Sequence, residues 1–458
     1  MYSIVIALFI LLFITLFEIV RKKEGIFDFL TFINLIFILL YSIAPMYMYF
    51  FNDHLTWSVL RRTDIHSTSF LLGELMALIF YVVMISCYYF ANKLKLTKKL
   101  RSRASVIYRE AKVRDFFLAS VVLFIIGVTT WYIYMQSLGG YSEYMRLGEL
   151  LRNDGSVVQT PLAFFKHFNS LLFISGFLFF SLIKETKGMK KAIVLLLFVI
   201  STILSFIILF QNSGRITLLL FIITIPLALM LRRNKVRVFT LFSLGALFLV
   251  LVLFGDQILK IGQDTSYTTV TKTKIEILDS VIREFAFPYN NLGNLIPLFP
   301  NYFDFRYGLP DITGAILQFI PSRLVSFDFL NNQTVSQFNT TLYNNYGQIP
   351  IDLVSFGYIS FGIAGVILLA SIFGVFIRFV ESFFSYKESL IACIFYVCFM
   401  LQAALAVVYG DPHQVVFSNF KYVFSLILIA IIVRVPKKTT KDRNIINNIG
   451  RTSNVYKK

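Results

Sequence analysis

Four arginines carry the most specific chemistry in this chain: Arg215, Arg283, Arg306 and Arg323. A guanidinium stays charged at all physiological pH values. It donates paired hydrogen bonds in a fixed fork that matches two oxygens of a phosphate or pyrophosphate. Arg215 stands in the hairpin Gln211-Asn212-Ser213-Gly214-Arg215 between two apolar runs, and no other charge lies between Lys191 and Arg232. The other three fall in one stretch, residues 256–350. Each also has a structural reading. Asp279 precedes Arg283 by four residues, the spacing of a helical ion pair, and Arg306 has Asp304 and Asp311 close by in sequence.

Proton carriers and sugar-sized hydrogen-bonding groups accompany them. Glu284 adjoins Arg283, and Glu74 lies inside an apolar run. An ionisable group in a membrane span is a candidate functional group. Its alternative is a pair with Lys166, which with His167 sits near the end of another run. His413, in Gly410-Asp411-Pro412-His413, is either a proton carrier or a turn residue, and Asp352 reads as a helix-end residue near water. Tyr289, Asn290 and Asn291 follow Pro288, and Tyr343, Asn344, Asn345 and Tyr346 close an uncharged polar stretch from Asn331 to Gln348. Amides and hydroxyls donate and accept, which suits sugar hydroxyls, and tyrosine adds a flat apolar face. The same residues are also ordinary turn formers.

The elements that must position these groups are membrane helices. Of the residues 57% are hydrophobic and 15% charged, and mean hydropathy is +0.73. Eleven runs long enough to cross a bilayer as helix lie near 2–20, 27–51, 67–91, 115–137, 161–183, 192–210, 216–231, 239–255, 352–377, 389–409 and 417–434. Alternate connections hold 30 of the 43 Lys and Arg residues. That asymmetry places them in the cytoplasm, the N-terminus outside and the C-terminus inside. The expected organisation is all-α and polytopic. Eight spans occupy residues 1–255, a long outer loop 256–350, three spans 351–434 and a basic cytoplasmic tail 435–458. The net charge of +18 is then topology signal and lipid contact, with no nucleic-acid partner implied.

The outer loop has helical signals of its own. Ile275, Leu278, Val281, Ile282 and Phe285 recur at helical spacing, and Pro288 ends the pattern. Ile312, Ala315, Ile316, Phe319 and Ile320 repeat it before Pro321. Two amphipathic helices are expected there. Cys87, Cys393 and Cys398 all fall in apolar runs, which excludes a disulfide framework. There is no Walker loop, no zinc-ligand spacing and no Asp-x-Asp pair, so ATPase, zinc and metal–nucleotide-sugar chemistry lack their signatures.

Several local strings, in this order and topological placement, resemble the O-antigen and capsular repeat-unit polymerases of the Wzy type. They are the Ser213-Gly214-Arg215 turn, Gly139-Gly140-Tyr141-Ser142-Glu143-Tyr144, Phe319-Ile320-Pro321-Ser322-Arg323, Gly347-Gln348-Ile349-Pro350, Phe356-Gly357-Tyr358 and Phe361-Gly362-Ile363-Ala364-Gly365. The resemblance spans about residues 130–370. It implies a bacterial inner-membrane glycosyltransferase of the multi-helix type shared with the O-antigen ligases. Such an enzyme joins oligosaccharide units carried on undecaprenyl pyrophosphate at the extracytoplasmic face, with no cofactor and no metal, beside a chain-length regulator and a flippase. By the resemblance Arg215, with one or more of Arg283, Arg306 and Arg323, clamps the pyrophosphate. The ligases carry a histidine in the long loop. Residues 256–350 here contain none, which leaves Glu284, Glu74 and His413 as candidate bases. A transporter of repeat units or of finished polymer is the alternative from another class.

Overall fold

Apolar runs of this length satisfy their backbone hydrogen bonds internally only as helices, and the chain does so. The computed structural model describes residues 2–23, 25–51, 66–100, 113–148, 162–212, 214–259, 274–320, 333–343, 349–384 and 389–433, with backbone alone at 252, 256–259, 274–281, 283 and 284. Among these residues every element is helical. Ten helices are long and apolar enough to cross a membrane. In chain order they and their partners are α1 Tyr2–Val20, α2 Phe29–Phe51, α3 Thr68–Asn92, α4 Val113–Ser137, α5 Ala163–Leu182, α6 Gly188–Gln211, α7 Arg215–Arg233, α8 Val238–Leu259, α9 Lys274–Leu295, α10 Leu309–Leu317, α11 Val335–Leu342, α12 Leu353–Phe383, α13 Leu390–Val408 and α14 Pro412–Ile432. The eleventh expected run is α8, a helix of 22 residues with an apolar stretch over Val238–Leu251.

α13 is the axis of the bundle. Of its apolar window 83% is buried, and it packs against α2, α5, α7, α12 and α14. α3 and α12 form the most extensive helix pair. Near the end where α3 finishes, buried ionic groups tie the helices together. Arg378 donates to Glu381 at 2.9 Å and to Asn92 at 2.6 Å, while Tyr88 and Tyr396 donate to the same Glu381 carboxylate. Arg21 binds Glu18 and Asp28 at 2.6 Å each. Arg378, expected among the cytoplasmic loop charges, is therefore a buried and paired residue inside α12.

The opposite end, where α3, α5 and α7 begin, is covered by α9, α10 and α11. α9 runs straight through Pro288 to Leu295, correcting the expectation that Pro288 ends it. A mid-helix proline forfeits one hydrogen bond. Here the turns that follow are sunk among α2, α3 and α12, with Ala286, Phe287, Tyr289, Leu292 and Leu295 buried. That burial, at about 25 cal/mol per Å² of apolar surface, outweighs the lost bond. α10 forms as expected. α11 was not expected: Thr334 and Gln337 make a reciprocal capping box at its start.

α12 is two helices in series. Phe361 and Gly362 leave helical geometry, and Gly362 has φ +62° and ψ −144°, a region open essentially to glycine. The carbonyls freed at the break are taken up by the loop before α10. Arg306 N–H donates to Ile359 at 2.9 Å and Tyr307 N–H to Ser360 at 3.1 Å.

Candidate functional site

Two sites sit at the covered end. The first is a cavity of about 260 Å³ between α2, α7, α8, α9 and α13. Its walls are apolar side chains such as Leu35, Leu220, Phe248 and Leu405, and among the described residues Arg215 and the Tyr409 phenol are its polar side chains, Arg215 the charged one. Arg215 is the first residue of α7 and half-buried. Its aliphatic stem crosses α8 at Gly255, where an added Cβ would stand 2.5 Å from Cδ and 2.8 Å from Cγ. The missing side chain at 255 is what lets the stem lie there. Four residues earlier, Gln211 is 1% exposed and its amide has no hydrogen-bond partner among the described residues. The arrangement is a cationic head position above an apolar slot.

The second site is a buried polar cluster where α9 enters the bundle. Tyr289 packs edge-on to Phe70 of α3 at 5.1 Å, and burial raises its phenol well above the ordinary range, with the Glu74 charge adding to the shift. Glu74 itself is fully buried, and among the described residues neither of its carboxylate oxygens has a hydrogen-bond partner. Asn290 and Asn291 are fully buried too. The Asn291 amide donates to the Pro350 carbonyl at 2.8 Å. Asn294 links Asn290 at 3.3 Å to the Tyr343 hydroxyl at 3.1 Å. Tyr289, Asn290, Asn291 and Tyr343 are thus brought together, and Glu74 faces them. The expected alternative, a Glu74–Lys166 pair, is not formed: Glu74 lies against α9, and Lys166 lies where α5 meets α4 and α14.

Asp352 belongs to this cluster. It caps the first half of α12, accepting from the N–H groups of Val354 and Ser355 at 3.1 and 3.0 Å, and from the Tyr41 hydroxyl at 2.5 Å. The expected water contact is absent, because Asp352 is 0% exposed. Burial pushes its carboxyl up to about 6 against hydrogen bonds that act the other way. Tyr41 reaches it from a π-helical turn, Leu39–Ile43, in mid-α2. Such turns gather at functional positions. The sequence reads Asp352 only as a helix-end residue and does not single out Tyr41, since a π-turn leaves no signal in a single sequence.

Two other candidates are structural ties. Arg306 binds Asp311 at 2.9 and 3.3 Å and the Gln333 carbonyl at 2.8 Å, and lies over the Phe338 ring at 5.5 Å. Its donors hold α10 to α11, and its partners are distinct from the residues that line the Arg215 cavity. His413 is in the first turn of α14. Its ring lies against Gly314 of α10, and its carbonyl accepts from Gln318 at 3.1 Å. Beside it Asp411 caps both α14, through His413 N–H at 2.8 Å, and α11, through Ser336 N–H at 3.1 Å. Arg323, Asn344, Asn345 and Tyr346 lie outside the described residues, as do the side chains of Arg283 and Glu284 and the tail beyond 433. Among the described residues no three His, Cys, Asp or Glu side chains converge. Comparison with family models, with curated protein sequences and with solved structures finds no match to this chain.

Proposed function

We propose that this protein is a membrane glycosyltransferase that polymerises oligosaccharide units carried on undecaprenyl pyrophosphate, at the extracytoplasmic face of a bacterial cytoplasmic membrane. The observation that carries the reading is the Arg215 cavity: among the described residues, one guanidinium and one phenol line a slot whose other walls are apolar side chains. A lipid with an anionic head and an isoprenoid tail has that distribution of charge and grease. In the reaction the bond from the donor sugar C1 to the lipid pyrophosphate oxygen breaks. A bond from an acceptor sugar hydroxyl to C1 forms, and the hydroxyl proton passes to a carboxylate or water. Arg215 stabilises charge growing on the departing pyrophosphate. The amides and phenols of Asn290, Asn291, Asn294 and Tyr343 suit sugar hydroxyls, with the Glu74 and Asp352 carboxylates beside them and Glu284 close by in sequence.

One observation favours a carrier of such lipids instead. A helix broken near a site, as α12 is at Phe361-Gly362, is a feature of alternating-access transporters. In this chain the freed carbonyls are closed by the loop at 306–307, which supports a fixed scaffold. The test is Arg215→Lys and Arg215→Ala, scored by the ladder of surface-polysaccharide lengths at equal membrane protein level. Lysine keeps the charge and loses the fork. Losing a charge-assisted bond of ~1.5–3 kcal/mol lowers the rate about ten- to a hundredfold, and alanine should be worse. A full ladder from Arg215→Ala would remove the clamp. Loss of export with completed polymer inside would favour the carrier.

A further inference from the structure

We propose that α10, Leu309–Leu317, lies in the plane of the membrane, with Leu309, Ile312 and Ile316 set among the acyl chains of the leaflet at that end of the bundle. The helix is amphipathic in the sense opposite to that of a helix lying in water. Its protein-facing side carries the buried Asp311, Gly314 and Ala315, with Asp311 held by Arg306. Its outward side carries Leu309, Ile312 and Ile316, which are 67%, 46% and 60% exposed. They recur at the i, i+3, i+7 spacing of a single helical face. A helix that turns its apolar face outward is matched to hydrocarbon.

The two ends of α10 fix its level. Just before its start, Gly308 lies against Ser360 and Phe356 of α12, and the Tyr307 ring packs on Phe361 at 5.7 Å. With 31 residues, α12 is about 46 Å long, well beyond a hydrocarbon core of about 30 Å. The part from Ile363 to Phe383 covers that core alone, at about 32 Å. Burial divides at the same point. Every residue from Leu353 to Ser360 is buried, whereas Phe361, Ile363, Ile367, Ile372 and Phe376 are exposed and form an outward apolar wall. The break at Phe361-Gly362 is therefore where α12 enters the bilayer. Further along α10, Gly314 meets the His413 ring and Gln318 donates to the His413 carbonyl, both in the first turn of α14. With 21 residues, α14 is about 31 Å long, one bilayer core, so its first turn stands at the same surface.

One end of α10 thus meets α12 at its point of entry and the other meets α14 at its start, which lays the helix along the surface between two lipid-facing walls. The α14 wall begins at Phe417 and continues through Val423, Ile427 and Ile431, all exposed. The occupant of the α10 face is the hydrocarbon that covers these neighbours. Tyr307, exposed at the junction, is the residue type that settles at head-group level. This assignment goes beyond the proposed function and does not rest on it. It sets levels for the two sites all the same. Arg215, the first residue of a 19-residue span, lies at the bilayer surface. Asp352, at the head of the buried half of α12, stands about 12 Å above it along the helix.

The test reads what surrounds the face and needs no turnover. In a chain with Cys87, Cys393 and Cys398 replaced by alanine, a nitroxide is attached at Leu309→Cys, Ile312→Cys or Ile316→Cys and the protein is placed in phospholipid nanodiscs. Collisions with molecular oxygen, which concentrates in hydrocarbon, are compared with collisions with a water-soluble nickel chelate. Ile372→Cys on the α12 wall and Asp304→Cys, at an exposed charged position, are the references. The oxygen-to-nickel ratio at all three α10 positions should lie near that of Ile372→Cys and severalfold above that of Asp304→Cys. A ratio like that of Asp304→Cys puts the face in water and overturns the proposal. Few collisions with either reagent would mean that protein covers the face, a second copy of this chain included, and overturns it equally. The unsubstituted protein gives a second reading should the cysteine-free chain not fold. In nanodiscs of a phospholipid with a diazirine in its acyl chain, light should attach lipid to peptides of both α10 and α12. Lipid on α12 with none on α10 overturns the proposal. Either result leaves the Arg215 reading untouched, since no charge in that cavity is altered.

Discussion

At the residue scale Asp352 shows how a helix cap becomes a titrating group. Its Oδ2 accepts from Tyr41 and from two N–H groups, while Oδ1 has no hydrogen-bond partner among the described residues and the residue is 0% exposed. Burial dominates, so the carboxyl rises from its ordinary 3.8 to about 6. The folded protein therefore holds a proton between those values that the unfolded chain has released. The stabilising contribution is complete below pH 3.8 and is lost as pH rises through 6, amounting to about 3 kcal/mol at most. Asp352→Asn keeps an acceptor for the cap and for Tyr41 and never ionises. Its melting temperature relative to wild type should climb between pH 4 and pH 7.5. A gap that stays constant across that range would mean that Asp352 is hydrated. The sequence places a cap at Asp352, because a short acidic residue precedes an apolar run. Its dryness was not legible, since the covering groups come from Tyr41 and the α9 insertion, far away along the chain.

At the element scale the polar positions of α9 were readable and their burial was not. Pro288 looks like a stop signal when local propensity is all that is weighed; contacts with α2, α3 and α12, distant in sequence, carry the helix past it. α11 is the opposite case. Thr334-Val335-Ser336-Gln337 is a capping box legible in the sequence, though the segment it opens is mostly polar. The ten spans followed from apolar length alone, which is why they were the readable part of the fold. Two glycines then determine shape. Gly362→Ala puts a Cβ into a glycine-only conformation at a cost of about 1–3 kcal/mol and crowds Phe305, 3.2 Å from the added atom. It should lower the melting temperature, and a neutral result would mean that α12 is unbroken. Gly255→Leu should do something different. It forces the Arg215 stem off α8 without altering any charge. The polysaccharide ladder should shrink about as far as with Arg215→Ala, with normal membrane insertion. Full activity would show that the guanidinium works from another position.

For the whole molecule the decisive quantity is which end faces out, because a lipid-linked donor delivered outside is useless to a site that faces in. The basic residues place the ends of α2, α4, α6 and α8 and the beginnings of α3, α5, α7 and α9 on sides fixed by the positive-inside rule. Arg21 and Arg378, counted in that asymmetry, are held in buried pairs, but the connections 93–114, 184–191 and 232–237 still carry it. Cysteine accessibility tests the orientation directly. Asn339 is unsuitable as a reporter because it is fully buried. Tyr302, beyond α9, is 78% exposed, and Lys235, between α7 and α8, is exposed. With Cys87, Cys393 and Cys398 replaced by alanine, Tyr302→Cys should react with a membrane-impermeant maleimide in intact spheroplasts. Lys235→Cys should react only after permeabilisation. The buried positions of Cys393 and Cys398 make their replacement the step to check by melting temperature, since removing a thiol from a packed core leaves a small void. The reverse labelling pattern would turn the Arg215 cavity toward the cytoplasm. Polymerisation at the outer face would then be untenable, whatever the arginine variants do.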